Sequence, residues 1–271
     1  MVVFFKNLEE ANRLQREEQG TAQYGITQFS DLTDDEFWKC HLHYSSYISQ
    51  LNLTHRSEEA PPKSCDWRKK GVISKVKSQG KCCSCWAFAA VGNIEAQWGI
   101  FGSPKNLSVQ QLIDCSRNYG CKGGFPWNAF MTVIKLGGLA REDDYQYKAE
   151  KGKCLRNTKP VATIQDFVFL QRDEKDFYTL IDPHLYLQYY TKGIIKPSRK
   201  NCDASNVDHE VLIVGFSREE QYWILKNSWG ENWGENGFFR LHLGSNACGV
   251  AEYPVSAIVN TEKYRNKICP P

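Results

Sequence analysis

Gln79-Gly80-Lys81-Cys82-Cys83-Ser84-Cys85-Trp86-Ala87-Phe88 is the stretch around which the 271-residue chain is organised. No charged residue occurs over 83–94, and the run is helix-length and apolar nearly all round. A helix without a polar face has to be buried on every side. Cys85 stands where such a helix begins. The free N–H groups and partial positive charge of a helix N-terminus stabilise a thiolate. Gln79, six residues earlier, carries a side-chain amide able to donate to an oxyanion. This is the layout of a nucleophilic cysteine. Plainer readings exist: Cys82-x-x-Cys85 is also the spacing of a redox dithiol or half a zinc site, and an inert buried thiol is the default for a cysteine in an apolar helix. No second C-x-x-C or H-x₃-H follows, and no βαβ pattern surrounds the pair. Segments further along the chain weigh against the inert thiol.

Composition narrows the class. A net charge of +3 with 24% charged residues gives no sign of nucleic-acid binding or of a polybasic membrane patch, and the apolar runs are far short of a membrane span. Eleven cysteines suggest an oxidising compartment. Two sequons, Asn52-Leu53-Thr54 and Asn106-Leu107-Ser108, add weak support for glycosylation on a secretory route. Met1-Val2-Val3-Phe4-Phe5 is too short for the apolar core of a signal peptide, so a secretory protein would begin further upstream. No metal or cofactor is expected, and the chain is expected to be monomeric.

Residues 4–59 read as a separate module. Phe4, Asn7, Ala11 and Gln15 mark one helical face, which by spacing alone is an ordinary surface helix. Gly25-Ile26-Thr27-Gln28-Phe29-Ser30-Asp31 follows, and Thr33 with Glu36 forms a capping box that starts a new helix. The polar run over 52–63, with Pro61-Pro62, reads as an exposed linker. Beyond the central helix, Ser108 and Gln111 form an S-x-x-Q box ahead of Leu112-Ile113-Asp114-Cys115. Cys121-Lys122-Gly123-Gly124 places paired glycines where backbone can approach backbone, or simply a turn. From about residue 161 the chain becomes rich in strands and loops. His209 precedes the β-branched run Val211-Leu212-Ile213-Val214, and Trp223-Ile224-Leu225-Lys226-Asn227-Ser228-Trp229-Gly230 follows. A lone histidine before a strand is usually structural.

Together, these segments resemble the papain-like cysteine proteases. The C-G-[SA]-C-[WY] pattern appears as Cys82-Cys83-Ser84-Cys85-Trp86. L-S-x-Q-x-L-x-D-C lies at 107–115, and W-x-x-K-N-S-W-G at 223–230. The Asn7-Ala11-Gln15 face and the G-x-T-x-F-x-D run at 25–31 are similar to propeptides of the cathepsin F and W group. The resemblance spans nearly all of residues 4–258. It implies an α+β fold of two domains: a helical left domain over about 70–160, a β-barrel right domain over about 161–258, and the catalytic cleft between them. Residues 1–60 would be a partial inhibitory propeptide, 61–271 the peptidase, and 259–271 a tail.

The resemblance also implies roles. Cys85 is the nucleophile and His209 its ion-pair partner. Asn227 fixes the imidazole, Trp229 covers that hydrogen bond, and Gln79 helps hold the oxyanion. Gly123 and Gly124 wall the cleft, and Phe125, Pro126, Glu210 and Tyr253 line the S2 pocket, although Glu210 has solvent as its alternative. The implied disulfides are Cys82–Cys121, Cys115–Cys154 and Cys202–Cys248, leaving Cys40, Cys65, Cys83 and Cys269 unassigned. Peptides and proteins are the implied substrates, with the propeptide and cystatin-like proteins as inhibitors. The implied location is the secretory pathway: endolysosomal lumen, endoplasmic reticulum or extracellular space.

Three features depart from the family pattern. Cys83 replaces a glycine, and Glu210 stands where small residues are usual. The separation 209 − 85 = 124 is short of the roughly 130–150 residues expected from nucleophile to histidine and asparagine. The shortfall falls near 176–183, where a helix, a turn and an inner strand are compressed. Two other readings follow. One is an impaired homologue that only binds peptide or a partner. The other is an inhibitor built on the propeptide-like segment.

Overall fold

The computed structural model describes residues 1–37, 62–117, 120–170, 186–198, 202, 208–259 and 269–271, and the backbone of 178–181. The first module opens with α1 (Val2–Glu17), which buries Asn7, Ala11 and Leu14. The short strand β1 (Gln23–Tyr24) and the single turn α2 (Asp34–Phe37) follow. The Thr33–Glu36 box is reciprocal: Glu36 N donates to Thr33 Oγ1 at 3.2 Å, and Thr33 N donates to Glu36 Oε2 at 2.9 Å.

The second module opens with β2 (Ser64–Asp66) and a 3₁₀ turn over Trp67–Lys70. The central helix α3 (Cys85–Ile100) is buried at 13 of its positions, as a helix with no polar stripe requires. Helix α4 (Val109–Cys115) is capped by Ser108, whose Oγ accepts from Gln111 N at 3.0 Å. That box is only half made, because the Gln111 amide turns away to Thr158 Oγ1 and Ala140 N. Helix α5 (Pro126–Leu136) starts on Pro126, as suits a residue without an N–H, and ends on Gly137.

The rest is mostly strands: β3 (Asp166–Phe169), β4 (Tyr178–Ile181), the turn of helix α6 (Tyr186–Tyr189), β5 (Tyr190–Lys192), β6 (Ile194–Ile195), β7 (His209–Ser217), β8 (Tyr222–Lys226), β9 (Phe238–His242) and β10 (Val255–Ile258). The main sheet runs β2-β7-β8-β9-β6. Strands β4 and β2 share one edge of β7, with Leu180 opposite Glu210 and Cys65 opposite Phe216. The compressed stretch near 178 therefore does supply a strand, set against the start of β7.

The sheet does not close into the expected barrel among the described residues. Strand β3 pairs with β10 in a separate ribbon rather than joining the main sheet, and β4 spans only four residues. A barrel needs every edge paired.

Helix α3 holds the halves together. Gly92 lies against β7, and a Cβ there would meet Leu212 at 3.2 Å. On another side, Ala257 N of β10 donates to Asn93 Oδ1 at 2.8 Å. The first module docks on the sheet side. Strand β1 pairs with β5, and Thr21 N and Ala22 N each donate to Ile194 O at 3.0 Å, while within the module Asn7 Nδ2 donates to Ser30 O and Leu32 O. Gly20 permits that approach, since a Cβ would lie 2.3 Å from Ile194 O.

Among the described residues, disulfides join Cys82 to Cys121, Cys115 to Cys154, Cys202 to Cys248 and Cys65 to Cys269. The last was not assigned by the resemblance. It ties β2 to the C-terminus across a sequence separation of 204. Cross-linking so long a loop restricts the unfolded chain, and losing such a bond costs about 2–5 kcal/mol. The Cys65→Ser, Cys269→Ser double variant is therefore expected to unfold at lower temperature and lower urea concentration. Unchanged midpoints would show that this bond adds no stability.

Candidate active site

Cys85 opens α3 and is 2% exposed, and His209 opens β7 and is 4% exposed. The two elements meet so that the Cys85 sulfur accepts from the backbone N–H of Glu210, next to His209, and from that of Trp86. The thiol thus lies where the first turn of α3 touches the start of β7.

His209 Nε2 faces Asn227 Oδ1 at 2.9 Å. The orientation of the amide follows from its second contact. Ser228 N–H donates to the same Oδ1 at 2.8 Å, so that atom is an acceptor and Nε2 carries the hydrogen. Nδ1 is then the ring nitrogen without a hydrogen. Trp229 stacks on the imidazole with centroids 5.0 Å apart and planes inclined 27°. It packs in turn on Trp233 at 4.9 Å, which shields the His209–Asn227 bond from water.

Gln79 is buried and held at several points. Its N–H donates to Ser228 O at 2.8 Å, its Oε1 accepts from Ser228 Oγ at 2.6 Å, and its Nε2 donates to Cys82 O at 3.1 Å. Its carbonyl accepts from Tyr147 Oη at 2.7 Å. Neither Tyr147 nor Ser228 stood out in the sequence as a site residue. The K-N-S-W run holds Ser228, but nothing in the sequence links Tyr147 to Gln79.

Burial decides the protonation states. It pushes the Cys85 thiol up, and the negative charge of Glu210 pushes it further, against the two backbone N–H donors. Burial also lowers the His209 pKa, against the hydrogen bond to Asn227. In this covered state the environment favours neutral thiol and neutral imidazole, rather than the ion pair implied by the resemblance.

The cover is the first module. Phe29 and Phe37 lie edge-on to Trp229 at 5.2 and 5.3 Å, and Gln28 Nε2 donates to Trp229 O at 3.0 Å. Between these residues and Ser78, Gln79, Asp208 and His209 is a cavity of about 620 Å³.

The remaining site residues fall as follows. Gly123 and Gly124 are buried, and Phe125 and Tyr253 are half-buried. Pro126 is buried at the start of α5, and Phe125 stacks on Trp127 at 4.7 Å. Glu210 is neither on an open S2 wall nor in solvent. It is 1% exposed and lines a cavity of about 20 Å³ with Phe88, Gly92, Glu95, Leu212 and Lys226, space for about one water. Strand alternation turns it, like Leu212, toward α3. Cys83 takes part in a bridge to Lys122, and its N–H donates to Cys121 O at 3.1 Å. Cys83 is disulfide-bonded, to none of the cysteines paired above. Cys40 and Asn52 lie outside the described residues. Asn106 is exposed.

The chain is similar to known proteins over most of its length. The family described as papain family cysteine protease matches residues 61–258. Cathepsin W of Mus musculus is 42% identical over 309 aligned positions, covering 99% of this chain and 83% of its own. Cathepsin F of Mus musculus is 40% identical, covering 96% of this chain and 60% of its own. Among solved structures, a recombinant stem bromelain precursor superposes with a TM-score of 0.83 at 31% identity, over 96% of this chain and 90% of its own. Procathepsin L2 from the larval midgut of Tenebrio molitor does so at 0.83 and 30% identity, over 94% and 91%.

The thiol's environment makes a measurable difference. Glu210→Gln removes one negative charge beside Cys85, so alkylation of Cys85 by iodoacetamide is expected to rise at lower pH than in the parent chain. Superimposable pH profiles would mean that the carboxylate does not act on the thiol.

Proposed function

The chain belongs to the papain family of cysteine proteases, and from that premise we propose that it is a zymogen whose peptidase hydrolyses peptide bonds through Cys85, His209, Asn227 and Gln79. The observation that carries this reading is the His209–Asn227 contact, fixed in orientation by Ser228 N–H, beside a thiol at a helix N-terminus.

The chemistry follows from those atoms. The Cys85 proton passes to His209 Nδ1 as sulfur bonds to the peptide carbonyl carbon, and the carbonyl π electrons move to oxygen. The Gln79 amide and the Cys85 N–H donate to that oxygen. The C–N bond then breaks, His209 returns the proton to the leaving amine, and a thioester remains. Water adds to the thioester with His209 as base, and the thiol and a carboxylic acid are released. Asn227 keeps the imidazole in the tautomer that leaves Nδ1 free.

In this reading residues 1–60 are the inhibitory propeptide and 61–271 the peptidase, with the left half near 70–160, the right half near 161–258, and a tail at 259–271. The docking of 1–37 over Trp229 supports it. Activation is cleavage in the 61–66 region, at the acidic pH of an endolysosomal lumen reached through the secretory pathway. Asn106, and Asn52 outside the described residues, are the glycosylation candidates. Peptides and proteins are the substrates, cystatin-like proteins the inhibitors, and the working form a monomer. No helix among the described residues is long and apolar enough to cross a membrane.

A second reading, an impaired homologue that binds peptide or a partner, has its own support. The alignment with mouse cathepsin W runs to 309 positions against the 271 residues of this chain, so stretches of that relative have no counterpart here.

Incubation near pH 4–5 is expected to shorten the chain to a start near 61–66 and to release peptidase activity. Cys85→Ala should abolish that activity, His209→Ala should reduce it by orders of magnitude, and Gln79→Ala should lower kcat more than it raises KM. Turnover by the Cys85→Ala protein would refute the nucleophile assignment. An acid-treated parent chain that binds peptide without cleaving it would favour the impaired homologue.

A further inference from the structure

Tyr147 belongs to the loop after α5 and is not adjacent in sequence to any site residue. Its hydroxyl nevertheless sits between the two sides of the reacting centre, 2.7 Å from Gln79 O and 2.8 Å from Ser84 Oγ. The directions of both bonds can be assigned. A carbonyl oxygen only accepts, so the one Tyr147 proton goes to Gln79 O, and the single Ser84 Oγ–H then goes to the Tyr147 oxygen at 2.8 Å in preference to the more distant Cys82 O at 3.3 Å. Ser84 is the fully buried residue that caps α3 immediately before Cys85. Its own carbonyl accepts from Ala87 N at 2.9 Å and Phe88 N at 3.1 Å, within the first turn. The relay Ser84→Tyr147→Gln79 thus links the nucleophile's helix turn to the loop carrying the oxyanion donor.

We propose that Tyr147 is a positioning residue for the oxyanion hole, setting the Gln79 amide relative to the Cys85 N–H. The inference rests on the assignment of Gln79 above. Tyr147 is itself fixed on two sides. Its ring packs edge-on against Phe88 of α3 at 5.0 Å, and its N–H donates to Glu142 Oε1 at 2.9 Å. Glu142 is anchored in turn by Lys77 at 3.3 Å. Without the hydroxyl, the carbonyl of Gln79 keeps only the longer bond from Cys82 N at 3.3 Å. The other constraints on Gln79 are its two bonds with Ser228, in the right half of the molecule, and the bond from its own Nε2 to Cys82 O at 3.1 Å. Apart from those bonds to the Cys82 backbone, Tyr147 is therefore the side chain that ties the Gln79 carbonyl to the first turn of the helix that carries the sulfur. Burial pushes its phenol up to about 12, so it remains a donor throughout the working pH range. Displacements of about 1 Å at a reacting centre cost on the order of 10²-fold in rate.

The test uses the acid-processed full chain and a double-mutant cycle of Tyr147→Phe and Gln79→Ala, with a peptide p-nitrophenyl ester as substrate. Tyr147→Phe is expected to lower kcat about 10-fold with KM unchanged, short of the ~10²–10³ for losing a donor outright. In the Gln79→Ala background the same change should have an effect of less than about 2-fold, since residues acting as a unit are not additive. Alkylation of Cys85 by iodoacetamide forms no oxyanion, so its rate and pH profile should not move. Ser84→Ala, which leaves the Tyr147–Gln79 bond in place, should have a smaller effect on kcat than Tyr147→Phe. Full additivity of the two variants, or a parallel fall in alkylation rate, would overturn the proposal. If Gln79→Ala alone left kcat unchanged, the oxyanion assignment would fall first, and this inference with it.

Discussion

Everything at the site depends on the packing of α3 against β7. The sulfur belongs to one and the imidazole to the other, and 124 residues separate them in sequence (209 − 85 = 124). No covalent feature brings Cys85 to the start of β7, the strand that His209 opens. What does is an apolar contact in which all nine residues of β7 are buried and Gly92 lets Leu212 approach the helix. Burial of this kind is worth roughly 25 cal/mol per Å² of apolar surface and has no preferred direction. Geometry at the scale of a hydrogen bond therefore comes from directional contacts laid on top: the Glu210 N–H on sulfur, the Asn227 amide on the imidazole, and the Ser228 and Tyr147 bonds on Gln79.

The same burial has an electrical consequence. Removing water from around a thiol and an imidazole favours their neutral forms, since neither charge is then solvated. Glu210 adds to this by placing a carboxylate near the Cys85 thiol. The first module contributes from the other side by laying Phe29, Phe37 and Gln28 on Trp229, the residue that covers the imidazole. The covered protein is thus held away from the charged pair by sterics and by desolvation together. Removing the module restores water to the His209 side, while Glu210 remains. Its carboxylate is the feature that sets this site apart electrostatically from one with a small residue at that position.

The sequence shows plainly whatever depends on local pattern. A charge-free run can only be a buried helix, so α3 and the place of Cys85 at its start follow from 83–94. Thr33 and Glu36 declare their turn because both halves of the box lie within four residues. Features that depend on distant partners are hidden. Glu210 could face a cleft, solvent or a helix, and strand pairing and packing with α3 decide it. Cys65 and Cys269 are 204 residues apart, with no spacing rule to join them. The barrel expected on the right is an open sheet among the described residues, because β3 joins β10 and not the main sheet. Tyr147 reaches Gln79 across 68 positions, a contact that no motif announces.

In the proposed zymogen, one reactive thiol is assembled at the α3–β7 junction and covered by the first module. A peptidyl epoxide that alkylates assembled thiol sites, followed by mapping of the adduct by mass spectrometry before and after acid processing, tests it directly. A single adduct is expected, on Cys85, formed rapidly by the processed chain and slowly by the intact one. Adducts spread over several cysteines, or equal rates in the two forms, would contradict it.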